Sequence, residues 1–215
     1  MKHLAPRYGF FVLGVAINSF GVAFITKSAL GTSQISSVPY VLSLWQPSMS
    51  FGMTTFLFNM LFILTQIVLL KRDFHPIQFL QIAVNLLFSS LIDVSMALLW
   101  FFQPETLLVR LISLLVGCVI LAFGMTIVIR SEAGTGPNDL VAVVISDKSK
   151  KPFGPVRVAV DVCFAAIGFA LGGVLGLGTV ICAFVVGPAA QIFLPISQRI
   201  CEGCIRKFAG VEVLR

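Results

Sequence analysis

Six stretches of this chain are each long enough to cross the hydrocarbon core of a lipid bilayer, and between them they hold two charged residues. They cover 8–26, 53–70, 77–102, 111–129, 158–175 and 179–196, and the two charges are Asp93 and Asp161. About 18 apolar residues in a row suffice to span that core as a helix. The rest of the chain cannot dilute the pattern, since 58% of its 215 residues are hydrophobic, 11% are charged and the mean hydropathy is +1.01. Soluble domains carry about 25% charged residues. The sequence therefore predicts an all-α integral membrane protein with no room for a soluble domain. The apolar run after Met1 has no small-residue cleavage site followed by a polar region, so it reads as a retained first helix rather than a signal peptide. The net charge of +6 comes from basic residues at segment ends, where they set topology, and no nucleic-acid motif accompanies them.

Two further apolar stretches, 32–45 and 135–145, are too short to span. A dozen helical residues rise about 18 Å against a core of about 30 Å. Both begin at a Gly-Thr pair, and both sit in a repeat. Phe20-Gly21 is followed by Lys27-Ser28-Ala29-Leu30-Gly31-Thr32-Ser33. Phe123-Gly124 is followed, at the same spacing, by Arg130-Ser131-Glu132-Ala133-Gly134-Thr135-Gly136. The match continues through Val38/Val141, Val41/Val144 and Ser43/Ser146 to Phe51-Gly52 and Phe153-Gly154, with Asn59 opposite Asp161. The expected domains are a first repeat over 1–103, a second over 104–200 and a cytoplasmic tail over 201–215.

Charge decides how the repeats relate. If the short stretches dip in and return, each half has three spans and the halves are inverted. Lys2, Arg7, Lys71, Arg72, Arg130, Lys148, Lys150, Lys151, Arg199, Arg206 and Lys207 then fall on the cytoplasmic side, leaving mainly Lys27 and Arg110 outside. The positive-inside rule favours this arrangement. It has six transmembrane helices, two re-entrant half-helices and both termini cytoplasmic.

Backbone that turns within a membrane is tolerated only where protein or water surrounds it. Gly31-Thr32 and Gly134-Thr135-Gly136-Pro137 have residues suited to such a break. Thr32 and Thr135 are candidate caps for the helices that follow, and Pro137 suits a first turn. The exposed N–H groups and positive helix ends can hold an anion, as paired half-helices do in several secondary transporters. The candidate solute-binding residues are Gly31, Thr32, Ser33, Gly134, Thr135, Gly136 and Asn138. Acids within apolar segments usually face a cavity or partner, so Asp93, Asp139 and Asp161 are the candidates for proton or ion coupling. Arg157, one turn before Asp161, is positioned to pair with it. Asn18, Asn59 and Asn85 read as interhelical hydrogen-bonding residues.

Catalysis has little to stand on. No Ser–His–Asp set, HExxH or P-loop is present, and His3 and His75 lie at segment edges. Cys118, Cys163 and Cys182 fall within apolar runs as packing residues. Cys201-Glu202-Gly203-Cys204 is a lone C-x-x-C short of two metal ligands, readable either as a chance thiol pair or as a redox or metal site. No cofactor is expected.

At residues Ala29-Leu30-Gly31-Thr32-Ser33-Gln34-Ile35-Ser36-Ser37-Val38-Pro39-Tyr40 and Gly134-Thr135-Gly136-Pro137-Asn138-Asp139, the chain resembles the YczE/YyaS/YitT-like group of bacterial membrane proteins. The resemblance implies a bacterial inner-membrane location and supplies no catalytic residues. The expected function is a secondary transporter or facilitator of a small anionic or zwitterionic solute, with membrane lipid as its other partner. A non-transporting scaffold or assembly factor and a channel are the alternatives, and homo-oligomerisation is left open.

Overall fold

The computed structural model describes residues 4–71, 79–131, 137–151, 153–172 and 177–209. These residues form eight helices and contain no strand. In chain order they are α1 (Leu4–Lys27), α2 (Ser37–Trp45), α3 (Phe51–Leu70), α4 (Leu80–Leu98), α5 (Leu107–Ser131), α6 (Pro137–Ser149), α7 (Phe153–Ala170) and α8 (Leu177–Ala209).

Five of them are long and apolar enough to cross a membrane: Arg7–Lys27, Phe51–Leu70, Leu80–Leu98, Leu107–Ser131 and Gly178–Cys201. The remaining expected span belongs to α7, whose apolar stretch is Val158–Ala170 rather than 158–175. That helix stops because Gly172 turns left-handed at φ +82 while its N–H reaches the Phe169 carbonyl at 2.8 Å, a helix ending that glycine adopts without steric cost. The short helices also differ in extent from the sequence reading. The first starts at Ser37 rather than at 32–33, and the second runs on to Ser149 rather than 145. With 9 and 13 residues, they rise only about 14 and 20 Å. Residues 201–209, expected as tail, continue α8 as helix.

The most extensive packing joins α1 to α5. A Cβ added to Gly21 would stand 2.6 Å from the Leu121 nitrogen, and one on Gly124 would stand 2.5 Å from the Asn18 nitrogen. On Gly14 it would meet the Val128 nitrogen at 2.9 Å, and on Gly117 the Ile25 nitrogen at 3.0 Å. Backbone here lies against backbone, the packing that small residues permit inside membranes. Partners fall along α5 as they rise along α1, so the two helices are antiparallel. In α4, Phe88 accepts the Ser19 hydroxyl at 3.2 Å, and Phe102 beyond its end stacks on Phe24 at 5.0 Å. Hence α4 runs parallel to α1.

Against α3, α4 is antiparallel and held by three polar rungs. Asp93 takes the Gly52 N–H at 2.7 Å, Asn59 donates to Asn85 at 2.8 Å, and Gln66 and Gln81 exchange two amide bonds at 3.2 and 3.1 Å. Asn59 and Asn85 thus have the interhelical role expected of them. The short helices close a ring of four elements: α2 packs on α3 and α7, and α6 packs on α7 and α3. Across that ring the Phe62 and Phe164 rings meet at 5.1 Å. On the other side α8 packs on α5 and α1, and an apolar cluster including Val22, Ile25, Phe51, Ile92, Cys118 and Cys182 ties the groups together. Cys118 and Cys182 pack as expected. Cys163 does not, being exposed on α7.

Candidate functional site

The first Gly-Thr break is built by a helix that ends in left-handed backbone. After Lys27, Ala29 has φ 57 and Gly31 has φ 135. Ser28 secures the turn, its hydroxyl donating to the Ile25 carbonyl at 2.6 Å. Left-handed φ is costly for a residue with a Cβ, so Ala29 is held there by its surroundings. The polar groups that follow are satisfied within the protein. Thr26 donates to the Val22 carbonyl at 2.8 Å and lies 2.8 Å from the Thr32 hydroxyl. Since a hydroxyl has one proton, Thr32 is the donor to Thr26. Thr32 stands five residues before the start of the following helix and so does not cap it. Ser36 stands at that cap, where its hydroxyl takes no backbone N–H but accepts the Ser33 hydroxyl at 2.7 Å.

The first turn of α2 offers fewer free donors than a half-helix end might. The Ser37 N–H goes to the Gln34 carbonyl at 3.3 Å, and Pro39 has no N–H. The Ser37 hydroxyl also lies 3.1 Å from the Phe164 carbonyl of α7. Gly168 makes this approach feasible, because a Cβ there would stand 2.6 Å from the Ser37 hydroxyl.

The first turn of α8 covers the break. The Gly178 N–H donates to the Leu30 carbonyl at 3.0 Å, and the Gln34 side chain donates to the Thr179 carbonyl at 3.3 Å. Sequence reasoning missed both, because partners some 145 positions apart leave no local signal. Gly178 itself was the available hint, since a Cβ there would meet the Leu30 carbonyl oxygen at 2.7 Å.

Of the second break, Gly134, Thr135 and Gly136 lie outside the described residues. Asn138 and Asp139 fall in the first turn of α6. Arg130, just before that break, buries its Nε with no hydrogen-bond partner among the described residues. Asp161 is half-buried on α7, with one carboxylate oxygen sealed from solvent. Asp93 has partners of its own at the start of another helix. It lies at the start of α3, accepting from the Ser50 hydroxyl at 2.6 Å and from the Gly52 N–H, while Ser50 caps the helix by accepting the Met53 N–H at 3.0 Å. Among the described residues no group of three or more His, Cys, Asp or Glu is placed to hold a metal. Cys201 is buried and Cys204 lies among the side chains not described.

Five long apolar helices around a packed interior define a multi-pass α-helical membrane protein. The chain belongs to a family of unknown function (DUF6198), whose sequence model matches residues 5–195. It is similar to the uncharacterized membrane protein YczE of Bacillus subtilis (26% identical over 215 residues, 98% of this chain and 96% of that one). The uncharacterized protein YyaS of the same organism is 23% identical over 198 residues, 90% of this chain and 94% of that one. An uncharacterized protein of Haemophilus influenzae is 35% identical over 97 residues, 45% of this chain and 44% of that one. No solved structure matches.

Proposed function

We propose that this chain is a secondary transporter or facilitator for a small anionic or zwitterionic solute, built from two inverted repeats and performing no chemistry. The observation that carries the reading is the α1–α5 crossing. Gly21 meets Leu121, and Gly124 meets Asn18. Each pair becomes the other when every residue is replaced by the one 103 positions away, the offset of the two Phe-Gly motifs. Gly117 on Ile25 and Gly14 on Val128 exchange in the same way. An antiparallel crossing that maps onto itself is what two inverted copies produce about a two-fold axis in the membrane plane. The four-element ring agrees, since exchanging halves turns α2 on α7 into α6 on α3.

Depth supports re-entry. The centre of that exchange falls between Ser19 and Phe20 on α1, and taking it as the midplane puts Lys27 about 11 Å to one side and Arg130 about 11 Å to the other at 1.5 Å per residue. Phe62 and Phe164 occupy matching places, and their rings touch, so they belong near the same centre. Ser37, whose hydroxyl lies 3.1 Å from the Phe164 carbonyl, starts α2 at mid-depth. In this reading the chain leaves α1 near one surface, descends to Ser37, and climbs back through α2 to Trp45. Trp45 and Trp100 are both largely exposed at helix ends on that side, where interfacial aromatics gather. The sixth span is then α7, completing a bacterial inner-membrane protein with cytoplasmic termini.

The solute site lies between the two half-helix starts, with Gly31, Thr32, Ser33, Gly134, Thr135, Gly136 and Asn138 around it, and with Asp139 and Asp161 available for coupling. The buried Arg130 Nε, which has no hydrogen-bond partner among the described residues, favours an anionic group, because an unmet buried donor costs about 1–3 kcal/mol. Uptake into proteoliposomes across a panel of amino acids, organic acids and inorganic anions tests this. Saturable, counterflow-competent flux of at least one is expected. No flux above empty liposomes for any of them overturns the reading in favour of a scaffold, and non-saturating conductance does so in favour of a channel.

A further inference from the structure

Cys118 of α5 and Cys182 of α8 place their sulfurs 3.2 Å apart, and both residues are fully buried. Nothing in the packing requires two thiols here. The surrounding cluster of Val22, Ile25, Ile92, Leu114 and Leu121 is entirely apolar. A disulfide needs its sulfurs about 2.05 Å apart, so the pair has about 1.1 Å to close.

We propose that Cys118 and Cys182 are an oxidation site, closed to an intramolecular disulfide by a membrane-permeant hydroperoxide, which fastens the start of α8 to α5 beneath the first break. The class of oxidant follows from the cluster, which excludes charged reagents and bulky disulfides and admits a small neutral molecule. In the first step one sulfur attacks the hydroperoxide. A sulfur–oxygen bond forms, the oxygen–oxygen bond breaks, and the thiol proton leaves with the alkoxide as alcohol. In the second step the other sulfur displaces hydroxide from the sulfenic acid. The sulfur–sulfur bond forms, and the second thiol proton leaves with hydroxide as water. The dithiol loses two electrons and the hydroperoxide gains them. An isolated buried thiol is inert. Here the contact geometry makes the capture step intramolecular, so sulfenic acid formed on either residue is trapped before it oxidises further.

The position gives the bond a consequence. Cys182 follows Gly178 and Thr179 by four and three residues, on the same helix face, and those two hold Leu30 and Gln34 of the break. Cys118 sits on the helix that packs against α1. A disulfide would therefore join both flanks of the break.

The test treats the protein in liposomes with tert-butyl hydroperoxide, a small neutral hydroperoxide, denatures it in detergent, alkylates free thiols and maps each cysteine by peptide mass. Exposed Cys163 serves as the dose reference. The expected result is joint loss of alkylation at Cys118 and Cys182, restored by reductant, with one cross-linked peptide two hydrogens lighter than its parts. In Cys118→Ser, checked for unchanged gel-filtration behaviour, no cross-linked peptide should form and reductant should restore nothing further at Cys182. The proposal is overturned if both cysteines of the natural chain stay alkylatable at doses that consume Cys163. It is equally overturned if reductant-reversible protection of Cys182 survives in Cys118→Ser. Neither readout depends on transport.

Discussion

Replacing Asp93 by Asn separates two roles for the one acid in the longest apolar stretch. The carboxylate accepts from the Ser50 hydroxyl and the Gly52 N–H at the start of α3, where the helix end is partly positive. Asn keeps one acceptor oxygen and turns an NH2 group toward a donor, so one of the two bonds is lost. Bonds to charged groups contribute about 1.5–3 kcal/mol. This site is only half-buried, so the lower end applies, and loss of charge at the helix end adds about 0.5 kcal/mol. Asp93→Asn should therefore cost about 2 kcal/mol, a shift of roughly thirtyfold in the folded-to-unfolded ratio. Reversible unfolding in mixed micelles, followed by helicity, reads this. A double-mutant cycle with Ser50→Ala should return about 1 kcal/mol of coupling. If Asp93→Asn unfolds with the natural chain and the coupling is within about 0.3 kcal/mol of zero, the capping argument fails. Loss of pH-driven uptake in that stable variant would support the coupling-proton role expected from the sequence.

Gly21→Val and Gly124→Val should each destabilise by about 1–3 kcal/mol through overpacking, because the added Cβ meets partner backbone. Gly187→Val, where nothing lies within 4 Å, is the control in the same assay, and equal loss there would deny that the crossing is close-packed. Cysteines introduced at exposed Ser48 and Lys150 should be labelled by an impermeant maleimide from outside intact cells at Ser48 only. Labelling of both or of Lys150 alone contradicts the inverted arrangement.

Chain length and hydropathy made five of the spans legible, because crossing a bilayer fixes how many uncharged residues a helix needs. Glycine placement made the α1–α5 crossing partly legible, since the repeat aligns Gly21 with Gly124, although nothing local says that they lie on one interface. Helix ends were less readable. Thr32 looked like a cap by residue type, but a hydroxyl takes whatever acceptor is near, and Thr26 of the preceding helix is nearer. Asp93 looked isolated because no basic residue lies within a turn of it. Its partners are a hydroxyl and a backbone N–H some 40 positions earlier, and such groups carry no mark in the sequence. Residues 171–175 read as span because Leu171 and Leu175 kept the run apolar, whereas Gly172 ends the helix.

The three rungs between α3 and α4 bear on how the protein enters a membrane. Asn59 and Asn85 are 26 positions apart, and Gln66 and Gln81 are 15 apart, so their partners emerge from the ribosome almost together. A lone helix carrying a buried amide is a poor candidate for release into lipid, since its polar groups find no water there. A hairpin that has already paired those amides presents the bilayer with mostly apolar surface. α3 and α4 are thus suited to leave the insertion machinery as one unit. The first helix instead finds α4 first and its close glycine-lined partner α5 only about a hundred residues after its own start, which suits the uncharged run over 8–26.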